Sequence, residues 1–341
     1  MNVGLFCYGI SYLKYDIPFL FVFKIFQLSL FNYGKPVSVI LFKALSLPRN
    51  FRIDSMDKIG LKKGAWIRVL ILILPYLIVV GLFQFFGMLL SGVDVMNPEF
   101  EKTTLQYVAI KWFDLMGTFL LLWLFMKKLD NEPFINLGFQ IKNRQKDILI
   151  GLGVGLIIMS FGYGILEFFK EIFFVKINFD IKEALTTILL FTLVAIVEET
   201  LLRGYILRNL MYSFNNYIAL MVSSVLFAAM HLGNPNIDLF ALFNLFLAGI
   251  LLGLSYIHTK NLWFPIALHL SWNLFQSFLG FNVSGLDAYS ILEFKIIDPN
   301  QFNGGAFGFE GSYLSILAQI ITIVGIAIYF EKHPTKKIDL S

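Results

Sequence analysis

Six side chains in this sequence have the types and spacing to do chemistry together. Glu198 and Glu199 are adjacent, and Arg203 follows Glu199 by four residues, on the same helical face. That spacing makes Glu199 and Arg203 an ion pair in which each neutralises the other. Glu198 is turned by about 100° from Glu199 around the helix and has Leu202 at its i+4 position. Its carboxylate is left for other work. His231 closes the run Phe227-Ala-Ala-Met-His231, and His269 opens His269-Leu-Ser-Trp-Asn273. A carboxylate and an imidazole handle protons near neutral pH. Asn and neutral His donate hydrogen bonds to an oxyanion. Glu198, His231, His269 and Asn273, brought together from three helices, could activate water for attack on an amide carbonyl.

The elements that must position them are membrane spans. Hydrophobic residues make up 57% of the chain and charged residues 15%, against averages of ~45–50% and ~25%. A soluble fold could not cover that much apolar surface, and disorder needs the opposite composition. The apolar residues lie in runs of about 20, not in the short alternating segments of a membrane barrel. The fold class expected is all-α, a polytopic transmembrane helical bundle of about eight spans. They are read at roughly Trp66–Ser91, Leu105–Met126, Ile148–Leu166, Ala184–Leu207, Tyr217–Leu232, Leu239–Tyr256, Leu262–Phe278 and Tyr313–Phe330. Lipid cannot satisfy open backbone groups, so each must be helical. An ionisable group inside a span is costly and hence a functional candidate. Glu198 and Glu199 fall ~14 residues, or ~21 Å, from the end of the fourth span. Lys111 and Asp114 in the second span are expected to face water or each other and are assigned no chemistry. His258 is placed in a short turn and His333 in the tail.

The connections alternate in charge. Residues 51–65 and 127–147 are rich in Lys and Arg, whereas 92–104 and 279–312 are acidic. Lys and Arg mark cytoplasmic loops, so both ends of the main body are expected in the cytoplasm. Residues 1–55 hold only short apolar stretches and are read as an uncertain N-terminal extension, either upstream of a natural start at Met56 or an interfacial amphipathic segment. The main body is 56–341, with the motif-bearing core at 184–280. No basic block points to nucleic acid. Cys7 is the single cysteine, so neither an intrachain disulfide nor a cysteine metal cluster is open to this chain. Gly151-x-x-x-Gly155 and Gly249-x-x-x-Gly253 permit close helix packing.

Glu198-Glu199-x-x-x-Arg203, Phe227-x-x-x-His231 and His269-x-x-x-Asn273, in that order on separate apolar helices, resemble the three motifs of the CAAX-protease and bacteriocin-processing family, also called CPBP or ABI. Gly204-Tyr205 and Asn234-Pro235-Asn236 fit the flanks of those motifs. The resemblance covers about Leu189–Phe278. It implies an eight-helix intramembrane endopeptidase in which Glu198 is the general base, aided by His231. His269 and Asn273 would stabilise the oxyanion, with Glu199 and Arg203 supporting. The family has also been described as metalloproteases, and His231, His269 and Glu198 would make a three-ligand zinc set on paper. The metal-free reading is favoured, because it leaves Glu198 free as the base. The partners implied are the lipid bilayer and a membrane-associated protein or peptide substrate. The eukaryotic substrates of the family are prenylated CAAX proteins, while bacterial members are linked to peptide maturation, bacteriocin immunity or regulation of membrane proteins. A composition rich in Phe, Ile and Asn, with short loops, fits a bacterial cell membrane. Two other classes compete. One is a non-catalytic scaffold or bacteriocin-immunity protein that keeps the motifs for structure. The other is a proton-coupled transporter, although the repeats with broken helices that mark transporters are not found.

Overall fold

The computed structural model describes residues 64–97 and 100–333; the expectations for residues 1–55 lie outside them. Eight helices stand among the described residues at the eight places where apolar runs demand them. They are α1 (Ala65–Leu90), α2 (Thr104–Phe125), α3 (Gln145–Phe168), α4 (Ile181–Ser213), α5 (Asn216–Met230), α6 (Leu239–Thr259), α7 (Trp263–Phe278) and α8 (Tyr313–Lys332). Side chains cap several of them. Thr103 accepts from the Gln106 amide in a capping box on α2, and Asp180 and Asp238 start α4 and α6. The helix α1 continues through Pro75.

Of the eight expected spans, six are helices long and apolar enough to cross a membrane among the described residues. The other two, α5 with 15 residues and α7 with 16, reach only about 22–24 Å at 1.5 Å per residue, short of a ~30 Å hydrocarbon core. The sequence explains both stops. Beyond α5 come His231, Gly233 and Pro235, and beyond α7 comes Gly280 at φ +98°, a conformation that ends a helix.

Small residues let the helices meet. A Cβ on Gly155 would lie 2.5 Å from Ser271 Oγ and 2.8 Å from Trp272 N, so α3 and α7 approach backbone to backbone. The Ser271 hydroxyl donates across this contact to Leu152 O at 2.5 Å. Gly249 similarly presses α6 onto α5, where a Cβ would come within 2.7 Å of Ser224 Cα. Both glycine spacings read from the sequence are therefore packing sites. The helix α8 buries only Ser315 and Gln319. Gln319 donates to Asn244 of α6 at 2.8 Å, and Asn244 donates to Ser312 O at 3.1 Å, polar glue of the kind that holds helices in lipid.

The two ends of the bundle differ. At one, the connections before α4 and α8 pair as a small antiparallel sheet of β1 (Phe173–Ile177) and β2 (Leu292–Lys295), which the all-helical expectation did not include. At the other, Asp130 accepts from Arg68 at 2.5 Å and from the Tyr205 hydroxyl at 3.0 Å, while Arg208 pairs with Glu132. That knot ties α1 and α4 to the chain beyond α2.

Candidate active site

The site is built around the middle of α4. Its helix is regular to Glu199, and Thr200–Leu207 then form a π-helix whose eight residues are all buried. Such segments are rare overall and are frequent at functional sites. Glu199 is fully buried, and its Oε1 accepts from Arg203 Nη1 at 2.8 Å. Arg203 also donates to Gly249 O at 3.1 Å, and its guanidinium lies 4.7 Å from the centre of the Phe227 ring. The expected ion pair is present and desolvated.

Glu199 does more than pair with Arg203. The same Oε1 accepts from His269 Nδ1 at 2.8 Å. A carboxylate only accepts, so Nδ1 carries the proton. The other ring nitrogen, Nε2, is then turned toward Glu198, 4.0 Å from Oε2. Glu198 Oε2 itself has no hydrogen-bond partner among the described residues. The two neighbours thus divide their work as the helical geometry requires.

His231 sits at the end of α5. Its Nδ1 donates to the carbonyl of Phe227 at 2.8 Å, which leaves Nε2 bare in the neutral ring. Phe227 packs 4.8 Å from the His231 ring and 6.2 Å from the His269 ring, so this one aromatic spaces both imidazoles and Arg203. Asn273 lies one turn beyond His269 on α7, is 5% exposed, and makes no side-chain hydrogen bond within the described residues. Glu198, His231, His269 and Asn273 all line one cavity of about 430 Å³. Glu199 and Arg203 stand behind its wall.

Residues 180–275 match the family model of the Rce1-like type II CAAX prenyl endopeptidases. The match runs from the start of α4 into α7, a little over a quarter of the chain, and contains all six residues of the site. Over that segment the likeness to the CAAX-protease family is shown, and at family level it is that of an intramembrane endopeptidase. With six apolar helices of spanning length among the described residues, the chain is an integral membrane protein with a segment similar to this family. Neither the curated proteins nor the solved structures give a match.

The CAAX-protease-like segment does not form its cavity alone. Tyr76 of α1 and Lys111 and Asp114 of α2 complete the wall. Lys111 Nζ lies 3.0 Å from Asp114 Oδ2, so the two face each other as expected, and Gln84 donates to the same oxygen at 3.1 Å. Their place beside Glu198 had no signal in the sequence, nor had that of Glu310. That carboxylate reaches the cavity from the connection before α8, accepting from the Ser284 backbone at 2.6 Å and its hydroxyl at 2.8 Å. His258, expected in a turn, is in the last turn of α6, stacked 4.5 Å from Phe330 and outside the cavity. Among the described residues no group of three or more His, Cys, Asp or Glu side chains is placed to hold a metal ion. The Nδ1 atoms of both histidines are engaged by oxygen acceptors.

Proposed function

We propose that the protein is an intramembrane endopeptidase that hydrolyses a peptide bond of a membrane-associated protein or peptide with water activated by Glu198. The observation that carries this reading is the division between the carboxylates. Glu199 is spent on Arg203 and His269, while Glu198 faces the cavity with an unpartnered oxygen beside His269 Nε2. In the proposed reaction Glu198 takes a proton from water as the oxygen attacks the scissile carbonyl carbon. His231, fixed by Phe227 O so that Nε2 accepts, helps to hold that water. The Asn273 amide, uncommitted within the described residues, donates to the developing oxyanion. His269 joins it when its ring carries both protons, flanked by the two glutamates. Glu198 then returns its proton to the leaving amine, which closes the cycle without net proton transfer.

Arg203 and Glu199 hold the geometry. The pair neutralises itself in the bundle interior, and Glu199 sets the tautomer of His269, as a buried carboxylate does for histidine in other hydrolases. The test is Glu198→Gln, which is nearly isosteric but cannot take the proton. Its cellular phenotype should match a deletion, with protein level and thermal stability near wild type. A Glu198→Gln protein that behaves as wild type while the deletion does not would make the chain a scaffold instead.

A further inference from the structure

The cavity opens toward one end of the bundle only. Beyond the mid-helix group its walls are residues near helix ends: Lys102 and Thr104 at the start of α2, Thr187 in the second turn of α4, Asn234 after α5, and Asp287 and Tyr289 before β2. No residue of the connections 127–144 or 260–262, at the opposite end, lines it. The short α5 recesses the mouth. Its 15 residues rise about 22 Å from the opposite end, so His231 stops ~8 Å inside a 30 Å core. The connection before α8 is pinned beside the opening. Tyr289 donates to Asn178 O at 2.8 Å and accepts from the Asp180 amide at 2.6 Å, and Glu310 holds Ser284.

The two ends carry opposite charge. Around the opening, Lys102, Lys170, Lys176, Lys182 and Lys295 are outnumbered by Asp94, Glu101, Glu171, Asp180, Glu183, Asp238, Asp287, Glu293, Asp298 and Glu310. At the far end Lys127, Lys128, Lys142, Arg144, Lys146, Arg208, Lys260 and Lys332 outnumber Asp130, Glu132, Asp147 and Glu331. Every connection is short enough for its Lys and Arg to weigh on orientation, and the basic end stays in the cytoplasm. The mouth of the cavity therefore faces away from the cytoplasm.

We infer that the substrate is a peptide segment presented from the extracytoplasmic side, extended and apolar, rather than a lipidated C-terminus offered from the cytoplasm. Its apolar character follows from the walls, where Val80, Phe191, Val194 and Leu286 flank the polar group. The inference rests on the hydrolytic reading for what is cleaved and on charge and geometry for the side of access, so the two can fail separately. Access is read in intact cells with a membrane-impermeant maleimide, in a Cys7→Ser background of the full chain. Asp287→Cys should be labelled at least tenfold faster than Lys142→Cys, and permeabilisation should remove the difference. Met96→Cys, exposed at the same end, replaces Asp287→Cys if that variant does not accumulate. Labelling of Lys142→Cys alone would overturn the inference. The substrate class is read by comparing new protein N-termini in membranes of cells with the wild-type or the Glu198→Gln protein. Termini that require Glu198 should fall in extracytoplasmic segments, and a majority in cytoplasmic segments would overturn the inference. Termini unchanged by Glu198→Gln, with Asp287→Cys labelled from outside, would reject the hydrolytic reading and leave the side of access standing.

Discussion

Glu198 and Glu199 are neighbours in the chain with different surroundings, and 100° of helical rotation is the cause. Glu199 turns into the bundle, where Arg203 and His269 satisfy one of its oxygens. Removing one member of a buried pair is costly because the other charge stays behind, so this trio is a rigid base for the site. Asn273 is the opposite case: it is buried, yet bonded to no described side chain or backbone group. Its truncation should therefore cost activity and not folding. Asn273→Ala is expected to lower kcat by ~10²–10³, the usual loss for one oxyanion donor, with an unchanged unfolding midpoint. A fall in stability of similar size would make its role structural.

The helix α7 carries two of the four motif residues that line the cavity, and its seat is the glycine face of α3. A side chain at Gly155 meets Ser271 and Trp272, which lie between His269 and Asn273 along the helix. Gly153, two residues earlier, has nothing within 4 Å of an added Cβ. Gly155→Val should cost at least ~1–3 kcal/mol through overpacking and suppress activity, whereas Gly153→Val should leave both nearly intact. Thermal unfolding in detergent and a cleavage assay separate the two. At the end of α6, Lys260 occupies a left-handed cap at φ +52°, and burial pushes its ammonium down from 10.5 to about 8. The unfolded chain then binds this proton more tightly, so Lys260 opposes folding most below pH 8, and the penalty fades as pH rises toward 10.5. Lys260→Met should raise the unfolding midpoint at pH 7, with a gain that shrinks across pH 8 to 10.5.

At the scale of the whole molecule, six long helices stand with two short ones, and the site lies beside the end of α5 and the middle of α7. A recess of this kind carries a polar cavity into the depth of the bilayer without exposing open backbone to lipid. It also couples the site to bilayer thickness. Mismatch costs only fractions of a kcal/mol per Å, but α5 and α7 fall short by several Å. In vesicles of phosphatidylcholine, activity should be higher with 14-carbon than with 22-carbon chains, at equal protein incorporation. Equal rates in both would show that the long helices alone set the fit to the membrane.

Much of this protein could be read from its residues. Composition demanded membrane helices, and runs of apolar residues located all eight, because helix formation in lipid is a local necessity. The i, i+4 spacing gave the Glu199–Arg203 pair, and small residues four apart marked the close helix contacts. What only the tertiary structure decided lies between elements. His269 finds Glu199 across 70 residues of sequence, and Tyr76, Lys111 and Glu310 reach the cavity from helices and a connection outside the motif segment. That two of the eight helices are short was not legible, because apolar character continues past the residues where Gly233, Pro235 and Gly280 stop the helix. Periodicity reports which face of an element is apolar. Which faces meet, and how deep the helices end, depends on packing and on the bilayer, and neither is written at any single position.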